Sequence, residues 1–467
     1  MSDKKIKSEN LSEKLCMKHE HGANRLKESE LKKVDKFANG YKKFLDESKT
    51  ERESVKACLE LLKDAGFREF SYEEKYSAGD KIYKINRDKS IIFAIIGKDG
   101  LSRGANFAIA HVDSPRLDLK PNPLYESDSI AFFKTHYYGG IKKYQWMATP
   151  LSLHGKVITM SGKSIDVNIG EDDGDPQFCV TDLLPHLASE QMEKPMKKAF
   201  TGEDLNILVG SRPFKSSKEA ESVKLNVLRI LNEKYGMIEE DFLSAELEAV
   251  PAFKAVDIGF DRSMVGAYGQ DDRVCAYAAI MATIDAKVPE RTCVTVLTDK
   301  EEIGSDGNTG MKSEFFKHFM ADLADKEDLH VRHVLDKSRC LSADVNAAFD
   351  PNYSSAYEKN NCSHINHGAV ITKYTGSGGK SGTSDASAEF MSSIRKLLNE
   401  NDILWQIGEL GKVDGGGGGT IAKFVANLNV DVVDLGVPVL SMHAPFEVVS
   451  KIDLFMTYQT IKVFYEK

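Results

Sequence analysis

The stretch TDKEEIGSDG, residues 298–307, sets two carboxylates side by side, Glu301 and Glu302. They follow the apolar run TCVTVL (292–297) and stand just ahead of Gly304. On a surface, water screens such a pair at little cost. Facing inward, the pair requires a positive partner, because a buried unpaired charge is strongly disfavoured. The rest of the chain decides between the two.

Working outward, four further apolar segments meet acids or histidines in the same way. FAIAHVDSP (107–115) runs out on His111 and Asp113, which share one face of an extended chain because side chains alternate with period two. A carboxylate beside a histidine fixes its tautomer, and Pro115 ends the strand. GAYGQDDRVCAYAA (266–279) puts Asp271 and Asp272 ahead of an apolar helix, LSADVN (341–346) ends on Asp344, and LSMHAP (440–445) carries His443. Each has an ordinary reading alone: Asp272 as a helix N-cap, the glutamates as a solvated turn, His111 as a core histidine. Asp344 alone suits a turn, and His443 alone packs beside Met442. Five coincident ends are what a ligand site at the strand termini of an open α/β sheet produces.

Two histidines with several carboxylates and no cysteine suit a divalent ion of intermediate hardness: zinc, cobalt or manganese. The ligands outnumber what one tetrahedral ion uses, so two ions sharing a bridging carboxylate are expected. On this reading Glu302 is the inward ligand. Glu301, one residue away, is a general base that takes a proton from water at the metals.

The frame agrees. A chain of 467 residues is long for one core, so two domains are expected, and 41% hydrophobic content excludes wholesale disorder. The net charge of −9, with acids and bases interspersed, argues against nucleic acid as a partner. The seven cysteines form no CxxC spacing and are odd in number, which fits reduced thiols in a cytosol-like compartment. The amino terminus MSDKKIKSEN lacks an apolar signal region, and no run approaches the roughly 18 apolar residues of a membrane span. A cytoplasmic protein with no membrane partner is expected.

Apolar residues at three- and four-residue steps predict a helix over 24–65. SIIFAIIG (90–97) and ANFAIAH (105–111) read as strands. From 123 to 253 the texture turns aromatic and β-rich, and after it strand and helix signals alternate again. RVCAYAAIMATIDA (273–286) reads as helix, while TCVTVLTD, CLSADV and DVVDLGVPVLSMHA read as strands. The fold class is therefore α/β, with a sheet covered on both faces, in segments 1–122 and 254–467 around a β-rich insertion at 123–253. The glycine-rich stretches TGSGGKSGTSD (375–385) and DGGGGGT (414–420) lack the spacing of a phosphate-binding loop.

Nearly end to end, the chain resembles the aspartyl aminopeptidase and aminopeptidase I family of cocatalytic zinc exopeptidases. AHVDSPRLDLKP, DKEEIGS, SADVNAAFDPNY and DLGVPVLSMHAPFE are similar to its four metal-site motifs in order and spacing, and YYGG, LSLHGKV and LLPHLA to its inserted domain. The resemblance implies an α/β/α catalytic domain split by a β-rich dimerisation domain, with dimers building a homododecamer. It implies two divalent ions per subunit. His111 and Asp344 bind one, Glu302 and His443 the other, and Asp271 bridges. It further implies that Asp113 orients His111, that Glu301 is the catalytic base and acid, and that His186 reaches a neighbouring subunit's site. The implied activity is removal of the N-terminal residue from peptides.

One departure bears on specificity. Acid-specific members of that family carry a lysine in a strand reading GPVIK, whereas GAVITKY here has Thr372 at that place and Lys373 one position on. A shift of one residue turns a side chain to the opposite face. Neutral or apolar N-terminal residues are thus as compatible as acidic ones. Two other functions fit the same metal ligands: a related carboxypeptidase or deacylase, and a non-catalytic assembly protein that keeps its metals for structure. The unliganded Glu301 argues against the latter.

Overall fold

The computed structural model describes residues 8–17, 20–215 and 221–467. Residues 1–7, the start of the charged amino terminus read above, lie outside them. Among the described residues no helix is long and apolar enough to cross a membrane.

A nine-stranded mixed sheet forms the centre of the larger α/β body. Its middle is parallel, with Thr292–Thr298, Ala105–His111, Arg339–Ala343 and Asp431–Gly436 side by side in that order. These strands are buried on both faces, so they are near-continuous apolar runs. Ala108 and Ala110 of one strand point into a core formed with helices Glu28–Glu47, Gln270–Asp285 and Lys451–Glu466. Phe107 and Ile109 point the other way, against helix Phe315–Lys326. Helices on both faces make this an α/β/α layer. The register pairs Thr298 with His111, so the carboxyl ends of these strands emerge together.

A second, seven-stranded antiparallel sheet uses only strands between Arg116 and Pro251. Its first strand, Arg116–Ser127, spans the expected boundary at 122/123. Arg116 is buried between this sheet and helix Glu51–Asp64. It bonds Asp118 at 2.7 Å and lies 3.3 Å from Glu248 and 3.5 Å from Glu51. Its guanidinium also stacks 3.9 Å from the ring centre of Tyr138. A five-stranded sheet, which includes Met264–Ala267, Pro438–Leu440 and Glu447–Ser450, completes the body beside the site.

Three expectations are corrected. The helix predicted over 24–65 is three helices, Gly22–Arg25, Glu28–Glu47 and Glu51–Asp64. The last break falls where Thr50 and Glu53 cap each other's backbone N–H groups. The late apolar stretch from 431 is two strands in different sheets, Asp431–Gly436 and Pro438–Leu440. Asp272 does not cap the helix with its side chain: the backbone at Asp271 and Asp272 is non-helical, and the Asp272 carboxylate is buried behind His111, whose backbone N–H approaches it at 3.4 Å.

Candidate metal centre

Each candidate side chain sits where an element ends. His111 closes its strand, and Asp344 follows Arg339–Ala343. Glu301 and Glu302 form a short turn after Thr292–Thr298, entered through Lys300 at φ +67°. Asp271 opens its helix, and the Asp271–Asp272 peptide is cis. His443 follows Pro438–Leu440 at φ +64°, a left-handed conformation uncommon outside glycine. Glu447 holds it there by accepting the His443 backbone N–H at 2.7 Å.

These ends converge. One oxygen of Asp271 lies 3.3 Å from His111 Nε2 and the other 3.2 Å from His443 Nε2. Asp344 is 3.7 Å from His111 Nε2, and Glu302 is 3.5 Å from His443 Nε2. Two clusters are compact enough to hold an ion, His111–Glu301–Asp344 and His111–Asp271–Glu302.

A second ring of contacts fixes the orientation. His111 Nδ1 meets the Asp113 carbonyl at 3.0 Å, and His443 Nδ1 meets the Gly140 carbonyl at 2.8 Å. Gly140 comes from the β-rich region; a side chain there would begin 3.4 Å from the His443 ring. The Asp113 carboxylate accepts the backbone N–H groups of Glu301 and Glu302 and the Tyr138 hydroxyl at 2.8 Å. Glu447 also accepts the Asp271 N–H at 3.1 Å.

This geometry fits a cation. Carbonyl oxygens only accept, so each Nδ1 carries a proton and each Nε2 turns a lone pair toward carboxylate oxygens. Those contacts repel unless the imidazole gains a proton or a metal lies between. Without a metal, burial and then repulsion from Asp344 push Glu301 up to about 8. Burial and Asp271 drive Glu302 well above the usual carboxylate range. Burial opposes charge on His443, but Asp271 and Glu302 outweigh it and carry the imidazole up to about 11. Glu302 Oε1 is buried without a hydrogen-bond partner. A mixed imidazole and carboxylate set with unmet demand for positive charge matches zinc.

The cluster opens onto a cavity of about 710 Å³ lined by Asn346, Thr372, Tyr374, Met442 and both glycine-rich loops. Aminopeptidase I zinc metalloproteases of the M18 family match residues 44–465. The chain belongs to this family. It is a zinc aminopeptidase, a hydrolase of peptide bonds. It is 49% identical to "Probable M18 family aminopeptidase 1" of Clostridium acetobutylicum, over 95% of this chain and 97% of that one. The crystal structure of the Thermotoga maritima M18 aminopeptidase superposes with a TM-score of 0.93 at 44% identity, covering 97% of this chain and 100% of that one. The S. cerevisiae mApe1 dodecamer shares the fold, with a TM-score of 0.74 at 21% identity over 92% and 96% of the two chains.

Within this aminopeptidase, seven of the eight candidate residues gather at one point. His186 does not. It lies exposed in the turn Pro185–Leu187 of the β-rich region, outside the residues that line the cavity. Sequence reasoning missed Tyr138, Gly140 and Glu447. Only Glu447 left a signal, as an acid four residues beyond His443 just before an apolar strand.

Proposed function

We propose that this aminopeptidase works through a dinuclear centre, with His111 and Asp344 holding one ion, Glu302 and His443 the other, and Asp271 bridging. The observation that carries this reading is the pair of Asp271 oxygens facing different histidines at 3.3 and 3.2 Å. Zinc is the expected ion, with cobalt and manganese as alternatives. Bound there, the ions supply Lewis acidity that activates water near neutral pH and polarises the scissile carbonyl. Glu301 holds no ligand position in this scheme. Its carboxylate accepts the proton of the attacking water and returns it to the leaving amine. Asp113 sets the direction of His111 and, through the two backbone N–H groups, of the glutamate pair.

The substrates in this reading are peptides with free amino termini. Thr372 lines the cavity, whereas Lys373 is paired with Asp385 at 2.7 Å. Thr372 supplies no cation at that place, but Lys380, Lys412 and Lys423 line other parts of the cavity, so neutral N-terminal residues are as compatible as acidic ones. The segments 1–122 and 254–467 form the catalytic domain and 123–253 a dimerisation domain. Dimers build a dodecamer, as in the yeast relative, and His186 acts in a neighbour's site. A cytoplasmic location follows from the sequence reading alone.

The test is hydrolysis of a panel of fluorogenic amino-acid amides by metal-free protein reloaded with zinc, cobalt or manganese, alongside a titration of ions bound per chain. Saturation at one ion per chain would remove the dinuclear scheme.

A further inference from the structure

Strand Asp431–Gly436 reads Asp-Val-Val-Asp-Leu-Gly, and its interior neighbours Val432, Val433 and Leu435 are buried apolar residues. Asp434 is buried among them, with 4% of its surface exposed. An acid there is costly and contributes nothing to sheet pairing that valine would not. It is neither among the candidate ligands nor within the cavity wall. Burial pushes its carboxyl up to about 7, opposed by its hydrogen bond with Thr420.

Thr420 Oγ1 donates to Asp434 Oδ1 at 2.6 Å, and among the described residues the other side chain that supports this carboxyl is Ser342 of the adjacent strand. Thr420 closes the run 414–420, whose glycines 416–419 line the cavity. Gly417 and Gly418 pair with Ser377 and Gly376 of the other glycine-rich loop, making a two-stranded ribbon on the cavity wall. Gly417, at φ +135°, would place a side chain 2.6 Å from the Gly376 carbonyl, so only glycine allows the ribbon to close. Three of the ribbon's four residues are glycines, so it has little side chain with which to hold its own position. Its offered surface is backbone N–H and C=O, suited to the main chain of a peptide.

We propose that Asp434 is a positioning residue: through Thr420 it fixes the glycine ribbon so that the ribbon's backbone forms part of the peptide-binding surface. This rests on the reading of the cavity as the substrate site. Asp434 touches no substrate, and its effect is transmitted by one hydrogen bond from beneath the ribbon.

The experiment compares the zinc-loaded enzyme with Thr420→Val, Thr420→Ser and the double variant Thr420→Val/Asp434→Val. Thr420→Val alone leaves the buried acid without this partner, whereas the double variant removes both partners of the bond and keeps the fold stable. The expected result is a KM for Leu-Gly-Gly raised about tenfold in Thr420→Val and in the double variant, as for loss of one hydrogen bond to a charged group. Zinc content and melting temperature of the double variant stay at parental values, and Thr420→Ser restores KM. Amide exchange of residues 414–420 is faster in both valine variants. Parental KM and parental exchange in the double variant would overturn the proposal. If the parental enzyme bound zinc but did not cleave any peptide, the substrate-site reading would fail. The exchange rates would then decide the tether alone: unchanged rates overturn it, faster rates uphold it.

Discussion

The carboxylate of Asp113 accepts the backbone N–H of Glu301 at 3.0 Å. One acid at the end of the His111 strand thereby sets the turn that presents the proposed base. In the proposed scheme the Glu301 side chain takes no metal, although it lies within one of the two clusters that could hold an ion. Glu301→Gln should accordingly retain zinc and fold while hydrolysis falls by roughly two to four orders of magnitude. Elemental analysis separates this from ligand loss, since a drop in zinc would assign Glu301 to the metal instead.

Asp271 and Asp272 are chemically alike and adjacent, yet the fold gives them different surroundings. Asp271 faces both histidines, while Asp272 is buried behind His111 with one oxygen unpartnered. Asp271→Ala should lower bound zinc at both positions and abolish activity. Asp272→Asn keeps the shape and should retain most of both. The reverse pattern, read by zinc content and turnover, would move the bridge by one residue.

Much of this site could be read before the fold was known, for a physical reason. Charge at the end of an apolar run is anomalous in one dimension, and His111, Glu301, Glu302, Asp344 and His443 each stand at such an end. What supports them could not be read. The Gly140 carbonyl that orients His443 is a backbone group separated from it by about 300 residues of chain. Tyr138 reaches Asp113 only because strand Ile130–Tyr138 of the β-rich sheet ends beside the cluster. The helix break at residue 50 was legible in principle, because Thr50 and Glu53 have capping-box spacing, but the apolar period continued through it. Asp272 misled because an acid before a helix ordinarily caps it, whereas here its carboxylate faces the backbone N–H of His111.

Asp257 gives a stability prediction remote from the metals. Lys42 lies 2.7 Å and Lys451 3.2 Å from its carboxylate, joining two helices to strand Val256–Ile258. Burial opposes its charge, but the hydrogen bonds from these lysines prevail and hold the carboxyl at about 2. The folded value lies below the unfolded one, about 3.9. The contribution is therefore complete above about pH 4 and lost as pH falls through about 2. Asp257→Asn should lower unfolding free energy by on the order of 1 kcal/mol at pH 7, after allowance for solvent screening. Urea titrations should show that difference shrinking below pH 4. A difference that grew in acid would contradict the sign.

His186 stands exposed and apart from the cluster in its own chain. If it completes a neighbour's site, His186→Phe should cut turnover while zinc content and oligomer size stay unchanged. Mixing it with His443→Ala should restore part of the activity, because some sites then combine an intact centre with a partner's His186. Native mass spectrometry must first show subunit exchange. Exchange without recovery would place any role of His186 within its own chain.

Thr372 offers a change of specificity. It is buried at the cavity wall, and Asn346 Nδ2 donates to its hydroxyl at 3.3 Å. The neighbouring cation, Lys373, is exposed and held by Asp385, so the wall at this position is neutral. Thr372→Lys would add an ammonium at this position, apart from Lys380, Lys412 and Lys423 elsewhere in the lining, and a carboxylate side chain at the substrate's amino terminus would pair with it. A partly desolvated charge-assisted hydrogen bond is worth about 1.5–3 kcal/mol, or roughly ten- to a hundredfold. The ratio of kcat/KM for aspartyl over leucyl amides should rise by about that factor, mostly through loss on leucine and a lower KM for aspartate. Zinc content serves as the control, because a lysine close to the metals would repel them. If zinc is retained and the ratio does not move, Thr372 does not face the substrate's first side chain.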